Sequence, residues 1–332
     1  MITIKKKWLV VLLAVIMVLS IVGGTALAQE EYPAAPAIAA ELLREAGVKQ
    51  LGPFVSAVAR ETGGRNAEFL GIPKDDPGYR EAVRDFLVGM DGVPFSPGYV
   101  RDMVLWLDAS ALDLGDGDKV DFWRDESGKG NHARQDNELM QPSYAGSVEG
   151  LNGLPAVYFD GHNKRLDVAH DESLDGMEAF SIFAVIIPKL EGGNEFQRIV
   201  DKVWNTSYCF YIRNNGNVCA SIRTAGTESG LTDWAAGQFN HQVTSGEPYL
   251  TMLSWDADVD AANIYLNGEP GTEQSRTGDT LGTNTSSLFI GDRAGSDRSL
   301  DGYIAEIIKY ERALSESERV SIEKYLMDKY GL

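Results

Sequence analysis

The chain is poor in the residues on which much enzyme chemistry is built. Its 332 residues include two cysteines, Cys209 and Cys219, and four histidines, His132, His162, His170 and His241. A four-cysteine zinc site is excluded by count. The histidines form no H-x-H or H-E-x-x-H pair. There is no G-x-S-x-G nucleophile elbow, and no glycine-rich loop leads from a strand into a helix to cradle a phosphate. Basic residues are also scarce: 30 Lys and Arg stand against 49 Asp and Glu, a formal net charge of −19. Such a surface repels phosphate backbones and anionic bilayers, so nucleic acid is a poor partner. The acidity fits solubility or cation binding. Beyond residue 28 no apolar run is long enough to span a membrane.

What is present divides the chain in three. Residues 1–28 read as a secretory signal peptide: Lys5–Lys7 are basic, Trp8–Val22 is apolar apart from Ser20, and Ala26 and Ala28 place small residues before a cut. The alternative is an uncleaved anchor, but the apolar run is short of the roughly 20 residues a span needs. Residues 29–100 read as a small helical segment and linker. Ala35–Ala46 is a helical mix, Pro53–Glu61 follows, and Asp76-Pro77 looks like a helix start, with Ala82, Val83, Phe86 and Leu87 at helical spacing. Gly89–Gly98 is rich in glycine and proline. From residue 101 the pattern becomes about a dozen short β runs, among them V-L-W-L-D-A and the near-continuous apolar F-S-I-F-A-V-I-I-P. The fold class is mainly β, an antiparallel sandwich. A C-terminal helix opens on a capping box, Ser315 and Glu318, with Val320, Ile322, Tyr325 and Leu326 as its apolar stripe.

The two cysteines fall in one hairpin, Y-C-F-Y-I-R-N-N-G-N-V-C-A-S-I-R. A two-residue Asn215-Gly216 turn would put them on opposite faces and leave both thiols free, and this is the favoured reading. A three-residue turn would put them on one face as diagonal neighbours. In G-Y-I-A-E-I-I-K-Y strict alternation puts Ile304, Glu306 and Ile308 on one face, where Glu306 needs a partner such as Arg312 or a backbone amide.

Five segments, in order, resemble a known family. They are W-R-D-E-S-G-K-G-N at 123–131, V-Y-F-D-G at 157–161, I-Y-L-N-G at 264–268, L-F-I-G-D at 288–292, and D-G-Y-I-A-E-I-I-K-Y-E-R-A-L-S-E-S-E-R at 301–319. Together they are similar to the laminin-G-like domains of the concanavalin A-like lectin/glucanase superfamily, over residues 103–332. The resemblance implies a jelly-roll β-sandwich. Many superfamily members bind calcium at a sandwich edge, so it also implies a calcium site at Asp125, Asn131, Asp160 and Asp301, the motif residues that flank such an edge. The alternative is that these side chains only cap turns. Glucanases of this fold carry E-x-D-x-x-E or E-x-D-x-E on one strand, paired carboxylates that act as nucleophile and acid/base. No such strand occurs here, which argues against an enzyme.

Binding is therefore the expected class: an exported, non-catalytic binding or adhesion module for a glycan or an extracellular protein. Trp204 and Trp234, at strand ends or in loops, are the candidate ligand-binding aromatics. Trp106, Trp123 and Trp255 fall within strands and are expected in the core. The alternatives are a divergent polysaccharide-active enzyme and an envelope or matrix structural protein.

Overall fold

The computed structural model describes residues 35–45, 55, 58, 68–69, 72–73, 79–88, 95–191, 194–224, 231–232, 240–275, 280–295 and 298–332. The expected leader and the Asp76-Pro77 helix start lie outside them. The chain forms two compact units that divide between Arg101 and Asp102.

The first unit holds helix α1 (Ala35–Glu45), a two-rung ladder of β1 (Glu68–Phe69) with β2 (Ile72–Pro73), and helix α2 (Tyr79–Val88). The helices carry Ile38, Leu42, Leu43, Val83 and Leu87 to a shared core that also takes in Val58. The expected linker is partly structured. Ser96 caps a 3-10 turn, Pro97–Tyr99, and Tyr99 is buried in the same core. An aromatic at the end of the glycine- and proline-rich stretch thus gives a short segment more apolar burial than its helices supply alone.

The second unit is mainly β: two antiparallel sheets packed as a sandwich and closed by a helix. In one, eight strands run in the order β13 (Leu231–Thr232), β12 (Val218–Ile222), β11 (Tyr208–Arg213), β10 (Phe196–Asp201), β18 (Leu288–Ile290), β8 (Leu166–Val168), β5 (Ala133–Arg134) and β4 (Phe122–Trp123). In the other the order is β16 (Glu269–Pro270), β15 (Ala261–Leu266), β14 (Tyr249–Asp256), β9 (Ala179–Pro188), β19 (Asp301–Tyr310), β7 (Ala156–Asp160) and β6 (Ser143–Ala145). Two further strands extend it: β17 (Gln274–Ser275) pairs with β15, and β3 (Met103–Asp108) pairs with β19. Alternate residues of the facing strands fill the space between the sheets, with Trp123, Phe159, Phe180, Phe210 and Trp255 as the large members. Trp106 is only partly buried and lies outside this core.

Strict alternation fails in β19. The register slips between Ile304 and Glu306, so Ala305 is a bulge and Ile304 and Ile307 both face the core. Glu306, Ile308 and Tyr310 then face outward, beneath helix α3 (Glu316–Tyr330). Glu306 takes its partners from that side and not from Arg312. Trp106 Nε1 donates to it at 2.7 Å, Lys329 Nζ at 2.7 Å and Tyr330 Oη at 2.9 Å, while Arg312 pairs with Glu318 and Asp102. The capping box of α3 is formed as its sequence predicts. The buried stripe is Ile322, Leu326 and Tyr330, whereas Val320 is 47% exposed.

Candidate functional site on the outer face of the eight-stranded sheet

The register of β10 against β11 sets out a checkerboard. Phe196 sits opposite Arg213 and Arg198 opposite Tyr211. A bulge after Arg198 lets Ile199 and Val200 both turn to the core, so Arg198 and Asp201 share the outward face. Cys209 of β11 and Cys219 of β12 lie on that face with Tyr211, packed by Phe196 and Trp204.

The guanidiniums and rings of this face are stacked on one another. Arg198 lies 4.6 Å from the Tyr211 ring centroid. Phe196 has Arg213 at 5.1 Å and Arg298 at 5.0 Å. Arg165 lies 5.0 Å from the Phe289 ring and is paired with Asp167 at 2.7 Å. Arg165 Nη1 also donates to the Arg293 carbonyl at 3.0 Å, tying the loop after β18 to the sheet. Stacking of this kind orders long side chains and holds their donors in fixed planes.

A pocket of about 130 Å³ opens among these residues, lined by Asp201, Val203, Trp204, Phe289, Arg293, Ala294 and Gly295. Asp201 organises it. Its Oδ2 accepts from Arg198 Nε at 2.8 Å and its Oδ1 from the Trp204 backbone N–H at 3.0 Å. Burial raises the Asp201 carboxyl above its ordinary range, against the pull of Arg198, and burial likewise raises Asp167. Val203 holds φ at +67°, a conformation that costs a β-branched residue on the order of 1–3 kcal/mol. Thr206 and Ser207 N–H groups both donate to its carbonyl at 2.9 Å and stabilise the turn that carries Trp204. Backbone strain at a pocket edge, held by its surroundings, is characteristic of binding and catalytic positions.

The hairpin turn differs from the two-residue expectation. Arg213 N–H donates to Asn217 O, and Gly216 N–H to Arg213 O, so Asn214–Gly216 form a three-residue turn. Gly216 has φ +87°, and a Cβ there would lie 2.4 Å from the Val243 carbonyl oxygen, which leaves only glycine. The cysteines therefore share a face as diagonal neighbours. Both are buried thiols outside any disulfide, and burial pushes the Cys209 thiol up to about 12.

Of the two tryptophans expected to bind ligand, Trp204 lines this pocket and Trp234 lies outside the described residues. The four expected calcium ligands do not converge. Asp125 spends both oxygens on its own loop and strand β3: Oδ1 accepts from the N–H groups of Trp106 and Ser127, and Oδ2 from Ser127 Oγ and the Asn131 N–H, all at 2.8–2.9 Å. Asn131 is turned to Val104 O and Ser173 Oγ. Gly128 and Gly130 carry the positive φ this loop requires. Asp160 and Asp301 are cross-strand neighbours elsewhere. Asp125 bridges Leu107, which pairs with Ile307, six positions along β19 from Asp301, or roughly 20 Å at strand spacing. Two separated pairs cannot supply the six to eight oxygens calcium takes at 2.3–2.6 Å, so the four residues do not fit one cation site. Asp160 instead accepts from the His162 N–H at 2.9 Å, and the Tyr158 hydroxyl contacts Asp301 at 3.4 Å.

A second concavity, of about 580 Å³, is lined by Glu172, Asp175, Met177, Glu178, Asp256, Asp258, Glu311 and Arg312, with Gly176, Ala179, Thr280 and Ala313 between them. Its charge is strongly acidic.

A sequence profile of the concanavalin A-like lectin/glucanases superfamily matches residues 160–318, which carry most of both sheets and the pocket. The match covers 159 of the 332 residues. No curated protein matches the sequence. Among solved structures, the superfamily fold is similar to domain 4 of AbnA, a GH43 extracellular arabinanase from Geobacillus stearothermophilus, in complex with arabinotriose. That match has 17% identity and a TM-score of 0.47, over 69% of this chain and 98% of the other. It is also similar to the Ruminococcus gnavus IT-sialidase CBM40 bound to α2,3-sialyllactose, with 16% identity and a TM-score of 0.42, over 51% and 95% of the two chains. A third match is the binding domain of Paraclostridial Mosquitocidal Protein 1, with 16% identity and a TM-score of 0.45, over 70% of this chain and 53% of that one.

The sequence reading missed Arg198, Phe289 and Arg293. The signal for the first was present. Phe196/Arg198 and Tyr211/Arg213 both place an aromatic and an arginine two apart, on one face of consecutive strands. Phe289 and Arg293 come from almost ninety residues further on and have no local signature.

Proposed function

We propose that the protein is an exported, non-catalytic binding module that holds a glycan on the outer face of the eight-stranded sheet. The observation that carries this reading is the pocket at Trp204. An indole and the Phe289 ring border a recess whose polar groups are Asp201 and Arg293. Sugar rings present apolar C–H faces ringed by hydroxyls, so an aromatic wall beside fixed donors and acceptors suits them. The strained turn at Val203 and the buried Arg198–Asp201 pair hold Trp204 before a ligand arrives, which lowers the ordering cost of binding. The leader-like first 28 residues support export. Trp204→Ala should reduce retention on immobilised polysaccharides and signal on a glycan array by tenfold or more, with the thermal midpoint little changed. Unaltered glycan binding by that variant would sink the reading.

The acidic cleft at Glu178, Asp256 and Glu311 favours a second reading, a divergent polysaccharide-active enzyme. Reducing-end release from a polysaccharide panel, lost in a Glu178→Gln or Asp256→Asn variant, would establish it. No release across the panel leaves the binding module.

A further inference from the structure

The pocket at Trp204 is small, and its walls are mostly carbon. Its volume is about 130 Å³. An apolar cavity of roughly 150 Å³ holds one benzene ring. A pyranose with its hydroxyls is larger than benzene, so the recess admits one substituent and an edge of the ring, not a whole hexose. Two of its seven liners have polar side chains, Asp201 and Arg293. Asp201 is 1% exposed, and its oxygens already accept from Arg198 Nε and the Trp204 N–H. Val203, Trp204, Phe289, Ala294 and Gly295 bring hydrocarbon, aromatic ring and backbone.

A second observation concerns the walls, which are held by bonds within the chain. On one side the Thr206 and Ser207 N–H groups clamp the Val203 carbonyl at 2.9 Å. On the other, the loop after β18 is tied at Arg293. Its N–H donates to Asp292 Oδ1 at 2.8 Å, and its carbonyl accepts from Arg165 Nη1 at 3.0 Å. Widening the recess breaks these bonds, so its size selects what enters. A hydroxyl pressed against the hydrocarbon of such walls loses its water without a partner in return. A methyl loses no hydrogen bond and gains burial.

We infer that the recess selects sugars by a methyl-bearing substituent: the acetyl methyl of an acetamido or O-acetyl group, or the methyl of a 6-deoxy sugar. The ring that carries it lies against the Trp204 indole. This rests on the glycan reading of the same pocket and deepens it. The preference comes from shape and carbon surface and not from charge, so salt should not screen it.

The test is calorimetry on matched neutral pairs. Chito-oligosaccharides against cello-oligosaccharides exchange an acetamido group for a hydroxyl. Acetylated against de-acetylated xylo-oligosaccharides remove an O-acetyl group, and L-fucosides against L-galactosides compare a 6-deoxy methyl with a hydroxymethyl. An acetyl-lysine peptide is the control without a sugar. The substituted member of at least one pair should bind about tenfold tighter or more, the scale on which an apolar pocket reads a single carbon. That ratio should hold between about 50 and 500 mM salt. Ala294 is exposed on its loop, so Ala294→Leu and Ala294→Met should fill the recess at unchanged thermal midpoint and bring the ratio toward one. Equal binding within every pair, a ratio that collapses with salt, or a preference that survives both folded variants overturns the inference and leaves the glycan reading intact. Peptide binding as tight as the acetamido sugar overturns the requirement for a ring. Absence of binding to every glycan removes the underlying reading as well.

Discussion

Lys309 is an ionisable side chain placed where strand alternation has no regard for charge. It faces the core, 1% exposed, with Nζ 3.0 Å from Met177 Sδ and 5.6–5.7 Å from the ring centroids of Tyr208 and Phe180. Burial lowers its amine to about 7. Glu311 and Asp175 pull the other way, and Lys202 reinforces the burial. A base whose folded pKa is depressed to about 7 is charged in both states below that pH, and between there and 10.5 it is charged in the unfolded chain and neutral in the fold. Its stability cost is therefore full below pH 7 and fades as pH rises toward the unfolded value of 10.5. Lys309→Met keeps the length and removes the charge. Urea unfolding should show a gain on the order of 2 kcal/mol at pH 6 that shrinks by pH 10. A gain independent of pH would mean that the amine is not desolvated in the fold. Lys309 was legible in the sequence as a strand residue, but not as a core one. A single bulge at Ala305 decides which way it points, and a bulge leaves little trace in a run of apolar residues.

Helix α3 is the element most fully written in the sequence, and its cap is formed as read. Its function in the fold was not legible, because its charged last turn completes a cluster with residues some two hundred positions away. Lys329 Nζ lies 2.6 Å from Asp108 and 2.7 Å from Glu306, and burial pushes the Glu306 carboxyl up to about 7, with Asp108 adding to the rise and Lys329 opposing it. Lys329→Met removes that cation and leaves Trp106 Nε1 and the Tyr330 hydroxyl as neutral donors. A carboxyl whose folded pKa is raised costs stability as pH climbs from its unfolded value through the folded one. The variant should therefore lose about 3 kcal/mol at pH 8 and less at pH 5, where Glu306 carries its proton. Equal losses at the two pH values would show that Glu306 is not the group affected.

At the scale of the molecule, net charge misleads unless its distribution is known. The sum of −19 excludes polyanions as partners only if charge is spread evenly. The sheet instead collects arginines from strands and a loop between residues 165 and 298 on one face. Acidity also suggested a cation, yet the oxygens expected to hold one are divided between two places, and those of Asp125 are already bonded. Millimolar calcium is accordingly expected to move the thermal midpoint of the second unit by less than about 1 °C. A rise of several degrees would show that the fold holds a cation, because a ligand that binds only the fold stabilises it by mass action. The sequence by itself determined the mainly β class, the capped closing helix and the turn chemistry of Asp125 to Asn131. Each of these depends on residues close together in the chain, where periodicity and local hydrogen bonds suffice. Only the tertiary structure decided that Trp204 stands beside Phe289 and Arg293, and that the thiols share a face. It also leaves Arg198 Nη1 without a hydrogen-bond partner among the described residues. Those facts depend on strand order, register and bulges, which arise from packing the whole sandwich and have no signature within any one segment.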